Sequence, residues 1–204
     1  MDIAHANDIC TSSILNWDSL YSAAIGAFVG STLTLLATYL SHRWQVKAQE
    51  KREEQAINSL LQAIHDEIET LWGLYMQGIG HQLEALEKNM PFDVFYPVTQ
   101  DYFTVYTSNA DLIGRIKDHD LRRQIVTTYS MARGLVDSYR LNNNLVQKHE
   151  HVYWMLKKTD DHFHEQMAFG HYQALVEYAE VLKKVHGKVK KQVAELLRTL
   201  QKHL

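Results

Sequence analysis

Apolar positions along this chain follow two different patterns, and the change between them divides the molecule. From Ser19 to Ser41 no side chain is charged, and apolar or small residues follow one another without a break. At about 1.5 Å per helical residue, such a stretch crosses the roughly 30 Å hydrocarbon core of a bilayer. There the backbone satisfies its hydrogen bonds only as a helix or a closed barrel, so one transmembrane helix is predicted over 19–41. Trp17 and Tyr21 mark its start and Tyr39 and Trp44 its end, aromatic residues suited to the headgroup boundary.

After Ser41 the apolar residues become periodic. Ile57, Leu61, Ile64, Ile68, Leu71 and Tyr75 alternate four and three apart, a heptad-like seam. It predicts a helix running out of the membrane to about Asn89, weakened past Gly73, Gly78 and Gly80. Pro91 and Pro97, the only prolines, separate this helix from the remainder. A shorter helix is predicted over Thr99 to Lys117, with Phe103, Tyr106, Ala110 and Ile113 inward. Asp118 or Asp120 caps a third, whose apolar face is Leu121, Ile125, Ala132, Leu135, Tyr139, Val146 and Leu156. Asn142, Asn143 and Asn144 interrupt that face, either bending the helix or placing a polar contact in the core. A last helix runs from Asp160–Asp161 to Leu204 on the stripe Leu182, Val185, Val189, Val193, Leu196 and Leu200. Nothing alternates as a strand would. The predicted fold is all-α: a short outer tail (1–18), a transmembrane helix (19–41) and an elongated antiparallel cytoplasmic helical bundle (42–204).

Charge sets the expected orientation. The first eighteen residues contain Asp2, Asp8 and Asp18 but no Lys or Arg, whereas Arg43, Lys47, Lys51 and Arg52 follow the span. Basic flanks stay in the cytoplasm, so the N-terminus is expected outside and the bundle on the cytoplasmic side. A cleaved signal peptide would need a basic n-region and a shorter apolar core. With the three tail aspartates removed, the 24 acidic residues fall to 21 and match the 21 basic ones, a balance that argues against bulk nucleic-acid binding. Cys10 is the only cysteine, so the chain forms no internal disulfide. A free thiol is expected, with an intermolecular bridge as the alternative.

Small residues recur every four positions inside the span: Ser22, Gly26, Gly30, Thr34 and Thr38. Gly26 and Gly30 form a GxxxG step that lets two backbones approach, so this is the expected oligomerisation face of a homo-oligomer. Ser31, Thr34 and Thr38 make the cytoplasmic half more polar, a possible pore lining in a higher oligomer and simple glue in a dimer.

Candidate chemistry is sparse. The chain has twelve histidines, five of them at His149, His151, His162, His164 and His171. No HExxH is present, and His162 and His164 point to different sides of a helix, so solvent-facing histidines are expected and no metal or cofactor. Asp137 and Glu165 lack a spacing that would pair them as acid and base. Tyr96, Tyr102, Tyr106, Tyr129 and Tyr139 fit core positions with hydroxyls at the edge better than a ligand cage. No nucleophile elbow, phosphate loop or dinucleotide fingerprint appears, so no catalytic residue, enzymatic activity or small-molecule substrate is expected. Between Lys183 and Lys202 seven basic residues face one acid, Glu195. Dipole complementarity at the end of a long helix accounts for them more simply than binding to an anionic surface.

Phe95-Tyr96-Pro97-Val98, Tyr106-Thr107-Ser108-Asn109-Ala110, Ile113-Gly114, Ile125-Val126 and Tyr129 form a loose pattern within Phe92 to Leu145. With the anchor, it resembles small bacterial membrane proteins that have one or two N-terminal spans and a helical cytoplasmic region. Some of these are similar to membrane effectors encoded beside retron reverse transcriptases and other anti-phage modules. The resemblance implies an effector that oligomerises and perturbs the lipid bilayer, with a protein or nucleoprotein partner from the same module. It brings no catalytic residues. The alternative is a membrane-anchored adaptor that positions a cytoplasmic partner.

Overall fold

The computed structural model describes residues 17–98, 102–159 and 161–204. Cys10, Asp2, Asp8 and Thr99 lie outside the described residues. Two compact units are present, residues 1–53 and 54–204, and the first helix contributes to both. Among the described residues every regular element is a helix: α1 (Trp17–Tyr75), a π-helical turn (Met76–Gly80), α2 (His81–Ala85), α3 (Thr104–Ser108), α4 (Ala110–Gly114), α5 (His119–Thr159) and α6 (His162–His203).

In the first unit every described residue from Leu20 onward is exposed. Helix Leu20–Ala85 is the one helix, among the described residues, long and apolar enough to cross a membrane. Phe28, Leu35 and Trp44 are each at least 70 % exposed, so none of the described residues covers this apolar helix.

In the second unit three long helices pack along heptad seams. Leu61, Ile64 and Ile68 of α1 are buried, with Ile57, Leu71 and Tyr75 packed beside them. On α5 the seam is Leu121, Ile125, Thr128, Ala132, Leu135, Tyr139, Asn142 and Val146. On α6 it is Leu175, Ala179, Leu182, His186, Val189, Val193, Leu196 and Leu200. Steps of three and four average the 3.5 residues that keep a stripe facing its partner in a coiled bundle. α5 and α6 form an antiparallel hairpin, whereas α1 runs parallel to α5, since Glu67 meets Tyr129 and Tyr75 meets Tyr139.

That parallel pair requires the chain to return, and the return differs from the predicted continuous helices. Helical backbone ends at Ala85, earlier than Asn89; Leu86 turns extended and Asn89 takes a left-handed φ of 61°. Asparagine tolerates that conformation better than most residues. The segment then runs without regular structure to residue 98. Asn142 and Asn143 hold it from α5. The Asn142 amide donates to the Phe92 carbonyl at 3.0 Å, and Asn143 accepts from the Tyr96 N–H at 3.0 Å while donating to the Tyr96 carbonyl at 2.6 Å. The asparagine run therefore makes a polar contact in the core.

The helix predicted over 99–117 is two short pieces separated at Asn109. Phe103 and Ile113 are buried as predicted, but Ala110 is exposed. Asn109 donates to the Val105 carbonyl of its own helix at 2.8 Å rather than across the bundle. No side chain caps α3 from within. Instead the Glu67 carboxylate of α1 accepts from the Val105 N–H at 2.7 Å and from the Tyr129 hydroxyl at 2.6 Å. A negative charge at a helix N-terminus satisfies donors that lack intrahelical partners. Asp118 and Asp161 cap α5 and α6: Asp118 accepts from Leu121 N–H, and Asp161 from Phe163 N–H.

Candidate functional site

The apolar N-terminal helix offers a surface. Nothing lies within 4 Å of the position a Cβ would take on Gly26 or Gly30, so bare backbone faces outward there. At 3.6 residues per turn each four-residue step overshoots by about 40°. Gly26, Gly30 and Thr34 consequently share a face, while Ser22 and Thr38 at the ends of the series lie far round the helix from each other. Ser31, Thr34 and Thr38 fall within an arc of about 60°. Their hydroxyls donate to the carbonyls of Phe28, Gly30 and Thr34 at 2.9, 2.8 and 2.8 Å. In hydrocarbon such back-bonding satisfies the hydroxyl hydrogen without a second helix.

The bundle holds a second arrangement, and the sequence pattern pointed elsewhere for it. His186, only 4 % exposed, takes a seam position that the predicted stripe gave to its neighbour Val185. Its Nε2 lies 3.0 Å from Glu84 Oε1, and its Nδ1 lies 2.7 Å from the Tyr75 hydroxyl, which is 3.0 Å from the Tyr139 hydroxyl. Lys190 donates to the same Glu84 oxygen at 2.6 Å. Trp72 stacks on the imidazole with ring centroids 5.7 Å apart. A polar chain thus runs from the surface lysine through carboxylate, imidazole and two phenols into the core.

The partners fix its polarity. Glu84 is held down to about 2, first by the Lys190 hydrogen bond and then by the one from His186, so it is a carboxylate that only accepts. With a neutral imidazole, His186 Nε2–H donates to it and Nδ1 accepts from Tyr75, whose oxygen then accepts from Tyr139. Every donor in the chain then has an acceptor. Burial pushes the Tyr75 phenol far above its ordinary value, with Tyr139 adding to the effect, and burial pushes Tyr139 up to about 12. These phenols stay protonated, which suits hydrogen-bond donation and not nucleophilic attack.

Beside the two phenols lies a cavity of about 120 Å³. Trp72, Tyr75, Tyr96, Tyr102, Phe103 and Tyr139 bound it, together with aliphatic side chains that include Ile68, Val189 and Val193. Leu74, 61 % exposed, marks the side on which it meets solvent.

The histidine-rich region does not form a centre. His149 sits between the rings of Tyr153 and Tyr172, and His162 Nδ1 lies 3.0 Å from Glu165 Oε2. His164 Nδ1 lies 2.9 Å from the Thr159 hydroxyl. Among the described residues no three His, Cys, Asp or Glu side chains converge as metal ligands. Asp137 pairs with Arg140 at 2.9 Å and not with Glu165. Near the C-terminus the apolar stripe is consumed by bundle packing, and Lys183 donates to the Leu86 carbonyl at 2.5 Å. Comparison with protein-family models, curated proteins and solved structures finds no match for this chain.

Proposed function

We propose that this protein is a membrane-anchored effector that acts through self-association of its span and perturbation of the bacterial inner membrane. The observation that carries the reading is the open backbone at Gly26 and Gly30 on a helix whose apolar surface is exposed all round. Lipid or another copy of the helix is the natural cover for such a surface, and close glycine packing favours the copy. Arg43, Lys47, Lys51 and Arg52 support an N-terminus outside and a cytoplasmic bundle. In this reading the bundle controls the spans and carries out no chemistry. The resemblance of the Phe92–Leu145 segment to effectors beside retron reverse transcriptases supports a role in an anti-phage module, with a protein or nucleoprotein of that module as trigger.

The second reading is an anchored adaptor, whose span only tethers a bundle that positions a partner. It is favoured by the hydroxyls of Ser31, Thr34 and Thr38, which bond within their own helix and leave that face less polar than its composition suggests. Controlled expression with membrane potential followed by dye separates the two. Depolarisation by the unmodified chain, lost on changing Ser31, Thr34 and Thr38 to Ala, Val and Val at equal membrane insertion, is the effector outcome. Depolarisation that survives those changes removes the pore-lining role, and none at all, even with the neighbouring genes triggered, leaves the adaptor.

A further inference from the structure

We propose that the bundle binds a small apolar ligand, about one ring in size, in the cavity between α1, α5, α6 and the returning segment. Packed interiors rarely keep voids larger than a water molecule. The void has an identifiable origin. Ala132 occupies a seam position on α5 where Ile125, Leu135 and Tyr139 nearby place large side chains, and it lines the cavity.

The wall is mainly apolar and aromatic, which favours an apolar guest over water. A buried water needs two to four polar partners. The two phenols at the cavity edge, Tyr75 and Tyr139, are already bonded to each other and to His186. The Tyr96 hydroxyl lies against Gly78, 3.8 Å from where a Cβ would stand. A volume of about 120 Å³ is close to that of an apolar cavity of about 150 Å³ that stays dry and accepts benzene or xenon. It lies well below the roughly 300 Å³ and upward of drug-sized pockets, so it encloses about one ring of any guest. Six aromatic side chains around it favour a flat ring through edge-to-face and offset contacts. This inference is independent of what the span does in the membrane.

The test uses the full chain in detergent micelles, labelled at Ile, Leu and Val methyl groups and titrated with benzene. Saturable shifts are expected at Ile68, Val189 and Val193, with Val152 and Leu175, buried elsewhere in the α5–α6 hairpin, unmoved. Ala132→Leu fills the void and should weaken binding roughly tenfold or more, since the guest loses its space. Shifts that never saturate, or equal shifts at Val152 and Leu175, indicate partition without a site and overturn the proposal. Undiminished binding by Ala132→Leu overturns it too. If Ala132→Leu fails to fold, Val193→Ile adds one methylene to the same wall: weaker benzene binding sustains the proposal, and unchanged affinity defeats it.

Discussion

Replacing Tyr75 with Phe removes one oxygen and breaks two buried hydrogen bonds at once. With the polarity assigned above, His186 Nδ1 loses the donor it holds at 2.7 Å, and the Tyr139 hydroxyl loses the acceptor at 3.0 Å. Each buried polar group left without a partner costs about 1–3 kcal/mol, so with some relaxation the pair should cost about 2–4 kcal/mol. Tyr139→Phe removes only the terminal donor: Tyr75 still donates to His186, and the loss should be about 0.5–1.5 kcal/mol. For a unit of this size each kcal/mol lowers the melting temperature by about 2–4 °C. The melting temperature of the full chain in detergent should therefore drop by roughly 4–16 °C for Tyr75→Phe and roughly 1–6 °C for Tyr139→Phe. The double variant removes the stranded Tyr139 hydroxyl and should be no less stable than Tyr75→Phe alone. A larger loss from Tyr139→Phe, or a double variant destabilised by the sum of the singles, would refute the assigned direction of the hydrogen bonds.

Three further outcomes are expected. Gly26→Leu together with Gly30→Leu keeps the span apolar but fills the groove, so cross-linking of the membrane-embedded chain should fall; unchanged cross-linking would move any oligomer contact into the bundle. A thiol reagent that cannot cross membranes should label Cys10 in intact cells, and labelling only after lysis, with the thiol shown free, reverses the orientation. Glu84 binds its proton more weakly folded than unfolded, so its stabilisation is complete above its ordinary value near 4.5 and disappears as pH falls toward about 2. Comparing the acid unfolding profile of Glu84→Gln with that of the parent should show a shallower fall across that interval, and superimposable profiles would deny the carboxylate this role.

An uncharged run of membrane length needs no tertiary partner to be recognised, because the bilayer imposes its requirement on each helix separately. An N-terminal helix long and apolar enough to cross a membrane was therefore legible from sequence alone, as were the seams of the long helices wherever aliphatic residues filled them. A cap at Asp118 or Asp120 and a helix start at Asp160–Asp161 were legible for the same reason, since a cap satisfies its own helix, and Asp118 and Asp161 fill these roles. Tertiary structure decided whatever depends on a partner remote in the chain. Glu67 caps α3 across 38 positions of sequence, and nothing in the spacing around either residue announces it. The parallel course of α1 and α5 follows from a return segment with no periodicity, held by Asn142 and Asn143 through side-chain amides. His186 had a readable signal, since a strict four-three seam through Leu182 and Val189 requires position 186. An apolar neighbour, Val185, concealed it, because reading a stripe by hydrophobicity passes over a polar residue in register. That histidine is tolerated in the core because Tyr75 and Glu84 satisfy both ring nitrogens. The cavity beside them exists because Ala132 faces large neighbours on other helices, a mismatch of volumes that only packing in three dimensions creates.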